Sequence, residues 1–349
     1  MSNPYYMHKT VFSPTDKYTN HRIPGMLVTS KGTLLLYCEA RQNSSDWAMM
    51  DILLIRSTDN GKTFSNPTAL ASGNEKYNTV NNPVMMQDKH GRIHFLYLED
   101  YSVNGGRAMR RYSDDDGETW SEPIDVTHFT KPEIRNALAF GPGHGIITYD
   151  GTLLVPVWIV LKEFNAPINS HSPSIISTFF SKDNGETWSF GEFLSSTNEI
   201  QSPNETVATL TSDKKVYLNV RNQNSYRVKA YSKNGYSDWT DYAPDYNLVD
   251  PQCFGSVAFY NDGEHPYTLF FANCDNDLSR VNVSVKASVD DGKSYPLSLV
   301  LDKDRGGYVE IAVDNNAKLV YVAYEEDWGR NDYLAVFNYD YFISNAVKK

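Results

Sequence analysis

One eight-residue pattern returns along the chain and limits the fold more tightly than any other feature. It reads Ser57-Thr-Asp-Asn-Gly-Lys-Thr-Phe64, Ser113-Asp-Asp-Asp-Gly-Glu-Thr-Trp120, Ser181-Lys-Asp-Asn-Gly-Glu-Thr-Trp188 and Ser288-Val-Asp-Asp-Gly-Lys-Ser-Tyr295. A degenerate copy is Ser232-Lys-Asn-Gly-Tyr-Ser-Asp-Trp239. The starts fall roughly 50 to 70 residues apart, the spacing of one small β unit per copy. The chemistry of the pattern is local. Asp accepts backbone N–H bonds, Gly supplies positive φ for a tight turn between strands, and the terminal aromatic packs beneath. Asp59, Asp115, Asp183 and Asp290 are therefore read as turn formers, not catalysts.

Between the copies run short alternating segments, such as Arg92-Ile-His-Phe-Leu-Tyr-Leu98, Lys215-Val-Tyr-Leu-Asn-Val220, Val281-Asn-Val-Ser-Val-Lys286 and Leu319-Val-Tyr-Val-Ala-Tyr324. Period-two alternation and Gly-rich turns, without long helical periodicity, predict an all-β chain. Its 349 residues suit one large all-β domain spanning 1–349. A net charge of −11 argues against nucleic-acid binding and against docking on an anionic membrane. No run is long enough to insert in a bilayer. The first residues show no basic segment followed by an apolar core, so a cytoplasmic location is expected. Cys38, Cys253 and Cys274 are odd in number and widely spaced, which predicts reduced core thiols, no disulfide and no metal site.

Charged residues cluster around Arg22-Ile-Pro24. The two apolar runs of Met26–Tyr37, joined at Lys31-Gly32, predict a hairpin that brings Arg22 near Glu39-Ala-Arg41, with Asp46 on the loop beyond. Two guanidiniums and a carboxylate at one sheet edge suit an anionic ligand. Asp51 opens a strand and reads as structural. Glu205, a hairpin and then Arg221 again place a carboxylate and an arginine about one hairpin, in the order carboxylate, hairpin, arginine. Glu99, Asp100 and Tyr101 read as an ordinary polar strand end, and His144, between glycines, as structural. Glu133 and Arg135 are rim candidates. The polar loop from Lys162 to Ser174 is a candidate for shaping specificity. Taken alone, Arg280 is a charged residue at a strand start and Tyr308 a core tyrosine.

The repeats resemble the Asp-box copies of the sialidase superfamily. Arg22-Ile-Pro24 resembles its Arg-Ile-Pro motif, and Gly141-Pro-Gly-His-Gly145 resembles another of its signatures. The resemblance runs from about Tyr18 to the final strands. It implies a six-bladed β-propeller with the site at the centre of one face, no cofactor, and an exo-acting sialidase. Such an enzyme removes terminal sialic acid, or a related 2-keto-3-deoxy acid sugar, from sialylated glycans or small sialosides with retention. By the same resemblance Arg22, Arg221 and Arg280 clamp the substrate carboxylate and Arg41 lines the pocket. Tyr308 is the nucleophile, Glu205 its base and Asp46 the acid/base. An ungapped match would put Asn204 in the base position; an amide cannot take a proton, so Glu205 is preferred. Trp47 is expected to shield Asp46 and raise its pKa. A neutral Tyr nucleophile avoids the repulsion that a carboxylate would meet from an anionic sugar, and sialidases depart in this way from the two-carboxylate rule. Two alternatives stand beside this one: a non-catalytic propeller that binds acidic glycans, and a trans-sialidase or intramolecular transferase built on the same site. Oligomeric state is not legible.

Overall fold

The computed structural model describes residues 3–76 and 78–349. Antiparallel meanders make up nearly all of it. Strands Asn20–Val28, Leu34–Arg41, Met50–Ser57 and Thr68–Ser72 form the first. Val80–Gln87, Ile93–Glu99, Arg107–Ser113 and Ile124–Asp125 form the second, with Gly143–His144 added in parallel to its first strand. The third is built on Arg135–Phe140, Leu153–Leu161, Ile175–Ser181 and Ser189–Phe190, and the fourth on Thr206–Leu210, Val216–Val220, Tyr226–Ser232 and Thr240–Val249. Ile146–Ile147 adds to the third, beside Leu153–Leu161, and the remaining strands join one eight-stranded sheet through Leu297–Asp314, an 18-residue strand. Its first half pairs with Val281–Ser288, and its second half with Leu319–Glu326. The N-terminal strand Tyr6–Phe12 completes that sheet against Asn331–Asn338.

The meanders stack because their strands are apolar on both faces. Along Leu34–Arg41 every residue is buried. Leu34, Leu36, Cys38 and Ala40 pack with Tyr321, Ala323, Leu334 and Val336 of the C-terminal strands. Leu35 and Tyr37, on the other face, pack with Met85, Phe95 and Tyr97 of the next meander. Successive strand side chains point to opposite faces, so one strand can serve two neighbouring sheets.

Each repeat closes as its residues predict. In the first copy the Ser57 hydroxyl donates to Asp59 and accepts from the Gly61 N–H, while Asp59 accepts from the Thr63 N–H and hydroxyl. The same set recurs around Asp115, Asp183 and Asp290. In all four copies the residue before Gly also has positive φ: Asn60, Asp116, Asn184 and Asp291.

The alternating runs fall on strands, with only their first residues Arg92 and Lys215 lying just outside. At the C-terminus the chain leaves the last strand and turns into the helix Tyr339–Asn345. The Asn338 side chain caps it by accepting the Tyr341 N–H. All three cysteines are free and buried.

Candidate active site

Arg22 enters the site through a break in strand pairing. The register of Asn20–Val28 against Leu34–Arg41 shifts between Arg22 and Gly25, and Ile23 lies at φ 58. That region is unfavourable for a β-branched residue. It persists because the Ile23 N–H donates to Glu325 Oε1 at 2.8 Å, and the same oxygen accepts from Arg22 Nε at 2.9 Å. Gly25 is required here, since a Cβ would lie 2.1 Å from the Tyr37 ring.

The next meander repeats the device. Asn82 lies at φ 50, its strand shifts register between Asn81 and Val84, and its N–H donates to Glu39 Oε1 at 2.7 Å. Glu39 Oε2 accepts from Arg41 Nη2 at 2.5 Å and Nε at 3.0 Å. Glu39 and Glu325 thus do the same work: each is buried, holds one arginine and fixes one bulge.

Glu205 and Arg221 flank a hairpin and share backbone bonds, with Asn204 N–H donating to Arg221 O and Arg221 N–H to Glu205 O. Their side chains meet at Tyr308. The phenol donates to Glu205 Oε1 at 2.5 Å and accepts from Arg221 Nη1 at 2.9 Å, and Arg221 Nη1 lies 2.5 Å from Glu205 Oε2. Glu205, not Asn204, carries the carboxylate bonded to the phenol; the Asn204 amide oxygen accepts the Glu205 N–H instead. The guanidiniums of Arg22, Arg280 and Arg221 lie 5.0, 5.5 and 6.0 Å from the Tyr308 ring centroid. The Tyr308 N–H donates to Glu325 Oε2 at 3.0 Å. Gly307 makes room for that carboxylate, since a Cβ there would come within 2.2 Å of it.

Asp46 crosses the mouth from a loop turned by Asn43 and Ser45. Its carboxylate is 2.5 Å from Arg41 Nη1 and 3.9 Å from Arg22 Nη1. Arg22, Arg41, Asp46, Glu205, Arg221, Arg280 and Tyr308 all line one cavity of about 220 Å³. The sites named from the sequence, drawn from distant stretches of chain, are brought together.

Electrostatics corrects one expectation. Burial does push the Asp46 carboxyl up, but Arg41, with help from Arg22, outweighs it and holds the group below the usual carboxylate range. Trp47 lies instead on the aromatic wall, stacked on Tyr101 at 5.4 Å, with His171 and Trp158 beside them. Tyr308 is 7% exposed. Burial, and then the Glu205 charge, raise its pKa above the ordinary phenol value against the pull of the three arginines. The phenol therefore holds its proton and gives Glu205 a hydrogen bond.

Tyr101 is a second correction. It is not part of a solvated strand end but lines the cavity from the short helix Tyr101–Asn104. His171, from the loop suspected of shaping specificity, lines it too. Asp51 is bound by Lys17 and the Tyr18 hydroxyl, and His144 by Glu310, as structural roles require. Arg135 is not a rim residue; it is buried and spent on the carbonyls of Thr130, Gly105 and Gly106. Glu325 was not singled out. The signal was present: Glu39, Glu99 and Glu325 each follow an apolar run at a strand end.

The model of the BNR repeat-like domain matches residues 70–322. Sialidase-2 of Rattus norvegicus is 31% identical over 291 residues, covering 76% of this chain and 75% of that protein. The chain belongs to the sialidase family. A sialidase of Paraclostridium sordellii is 32% identical over 69% of this chain, and the chain spans 63% of that relative's length. It spans 61% of a Clostridium perfringens sialidase. Among solved structures, the Hadza microbial sialidase Hz136 superposes with a TM-score of 0.80 at 26% identity, over 95% of this chain and 66% of that one. The intramolecular trans-sialidase from Ruminococcus gnavus superposes at 0.77 with 16% identity, over 93% of this chain and 96% of that one, a likeness of fold alone.

Proposed function

We propose that this sialidase-family chain is an exo-α-sialidase that hydrolyses terminal sialic acid with retention. In this reading the chain forms one domain, its meanders are the six blades of a β-propeller, and the long strand Leu297–Asp314 serves two adjacent blades. The observation that carries the reading is the Tyr308 phenol, bonded to Glu205 and ringed by Arg22, Arg221 and Arg280.

The chemistry follows from that ring. Three guanidiniums hold the carboxylate on the anomeric carbon and so fix the sugar over the phenol. Glu205 takes the phenol proton as Tyr308 Oη attacks that carbon, forming a tyrosyl-sugar bond as the glycosidic C–O bond breaks. Asp46 protonates the departing oxygen. The substrate carboxylate offsets the positive charge that holds Asp46 ionised, and the aglycone covers it, so both changes move its pKa towards that of an acid. Asp46 then takes a proton from water as the water oxygen displaces Tyr308, and the departing phenolate recovers its proton from Glu205.

The test is release of a fluorogenic aglycone from an N-acetylneuraminic acid glycoside, with Tyr308→Phe beside the wild type. The expected loss in kcat/KM is on the order of 10³-fold or more. Unchanged activity in Tyr308→Phe would overturn the nucleophile. Binding of sialosides by the wild type without turnover would favour a carbohydrate-binding module instead.

A further inference from the structure

Beside the candidate active site lies a second cavity of about 470 Å³, within the range of small-molecule sites. The two adjoin, with Arg221, Arg280 and Trp328 lining both. Resting on the sialidase reading, we propose that this second cavity is a subsite for an acidic aglycone. The chain would thereby select substrates whose terminal sialic acid is carried by another carboxylate-bearing sugar.

Charge is the first argument. Three arginines, Arg221, Arg280 and Arg305, line the cavity, and no carboxylate side chain among the described residues does. This is a local cationic wall on a chain of net charge −11. Arg221 is engaged with Glu205 and Tyr308, and Arg280 Nη2 donates to the Gln252 carbonyl at 3.1 Å. Arg305 is the available one. Its side chain is 70% exposed, and its ion pair with Asp327, at 3.1 Å, joins two solvated groups. Such a pair contributes little and is readily exchanged for a ligand carboxylate held in a fork.

Shape is the second. Trp328 stands between the two cavities with 51% of its surface exposed. Asp327, Trp328 and Gly329 lie at φ 40, 65 and 78, a turn that lifts the indole out of the sheet. The turn is anchored: the Trp328 carbonyl accepts from Asn20 Nδ2, and the Gly329 N–H donates to the Glu326 carbonyl. The Arg280 guanidinium lies 5.0 Å from the indole centroid, fixing the ring as a wall. Leu278, 86% exposed, adds apolar contact to the lining. An aromatic wall, an apolar lip and a guanidinium held only by a solvated ion pair match a sugar ring that bears an anionic group.

The test compares 3′-sialyllactose, an α2,8-linked disialyl lactoside and a sulfated sialyl-lactosamine as substrates of the wild type, Arg305→Ala and Arg305→Lys. Arg305→Ala is expected to lower kcat/KM on the disialyl substrate on the order of tenfold or more, with partial rescue in Arg305→Lys and no change on 3′-sialyllactose. An equal effect on all three substrates, or none, overturns the subsite while turnover of 3′-sialyllactose leaves the hydrolase reading intact. An effect confined to the sulfated substrate overturns the carboxylated aglycone. If the wild type turns over none of them, calorimetric binding of the same sugars decides. Tighter, Arg305-dependent binding of the disialyl sugar supports the subsite, and equal binding overturns it.

Discussion

Tyr308 and Asp46 line one cavity with their protons in the opposite of their working positions. The phenol keeps its proton because burial and Glu205 together outweigh three arginines, whereas the half-exposed Asp46 is kept ionised by Arg41. Substrate is therefore expected to reset both, and the acid's share can be isolated. Asp46→Ala should lower kcat/KM on a lactose-linked sialoside by about 10²–10⁴-fold but on a nitrophenyl sialoside by far less, because a phenolate leaves without a proton. Parallel kinetics on the two substrates check this. Glu325 carries a different burden, with the bulge N–H of Ile23, Arg22 Nε and the Tyr308 N–H all on one buried carboxylate. Glu325→Ala should cost about 3–5 kcal/mol in denaturant unfolding and raise KM, since it leaves Arg22 buried without its partner. His21 sets an acid limit. It is buried against Phe12, and burial pushes its imidazole down to about 4. The unfolded chain, with His near 6.5, then binds the extra proton between those values. Stability should fall as pH drops through that window, by up to about 3 kcal/mol for this group. His21→Phe should flatten that part of a Tm-against-pH curve.

At the scale of elements, the strand end with its following bulge is the unit that builds the site. Ile23, Asn82, Gly141 and Ser202 all have positive φ, and each precedes a proline: Pro24, Pro83, Pro142 and Pro203. In two of them a glutamate on a neighbouring strand takes the exposed N–H, and the same glutamate steers an arginine. The Asp-box turn is the unit at other strand ends, and none of its residues lines the candidate active site. The Ser181 hydroxyl is buried, donates to Asp183 and accepts the Gly185 N–H. Ser181→Ala should therefore lower stability by about 1–2 kcal/mol without changing KM, as thermal denaturation beside steady-state kinetics would show. The turns were legible because their chemistry is confined to eight residues. The bulges were not, because each depends on a carboxylate from elsewhere: Ile23 is 302 positions from Glu325.

The whole molecule depends on its two ends meeting. Tyr6–Phe12 pairs along Asn331–Asn338, and the Asn338 side chain both accepts the Tyr5 N–H and caps the C-terminal helix. Removing residues 1–12 should expose the edge of Asn331–Asn338, lower Tm and favour association through that edge, which calorimetry and light scattering would detect.

What the sequence determined by itself is whatever short-range chemistry encodes: the all-β class, the turn at each repeat, the hairpins that join Arg22 to Arg41 and Glu205 to Arg221, and the residue types able to handle an acidic sugar. Which of those residues meet was decided only by tertiary structure. Arg280 and Tyr308 read alone as a strand-end charge and a core aromatic, and Tyr101 as part of a polar strand end. They became neighbours of Arg22 or Asp46 through the stacking of meanders far apart in the chain. The protonation of the site was decided at the same level, because it depends on which guanidinium lies nearest which acid. Trp47, beside Asp46 in sequence, suggested a raised pKa; Arg41, on which the loop carrying Asp46 folds back, made it a lowered one.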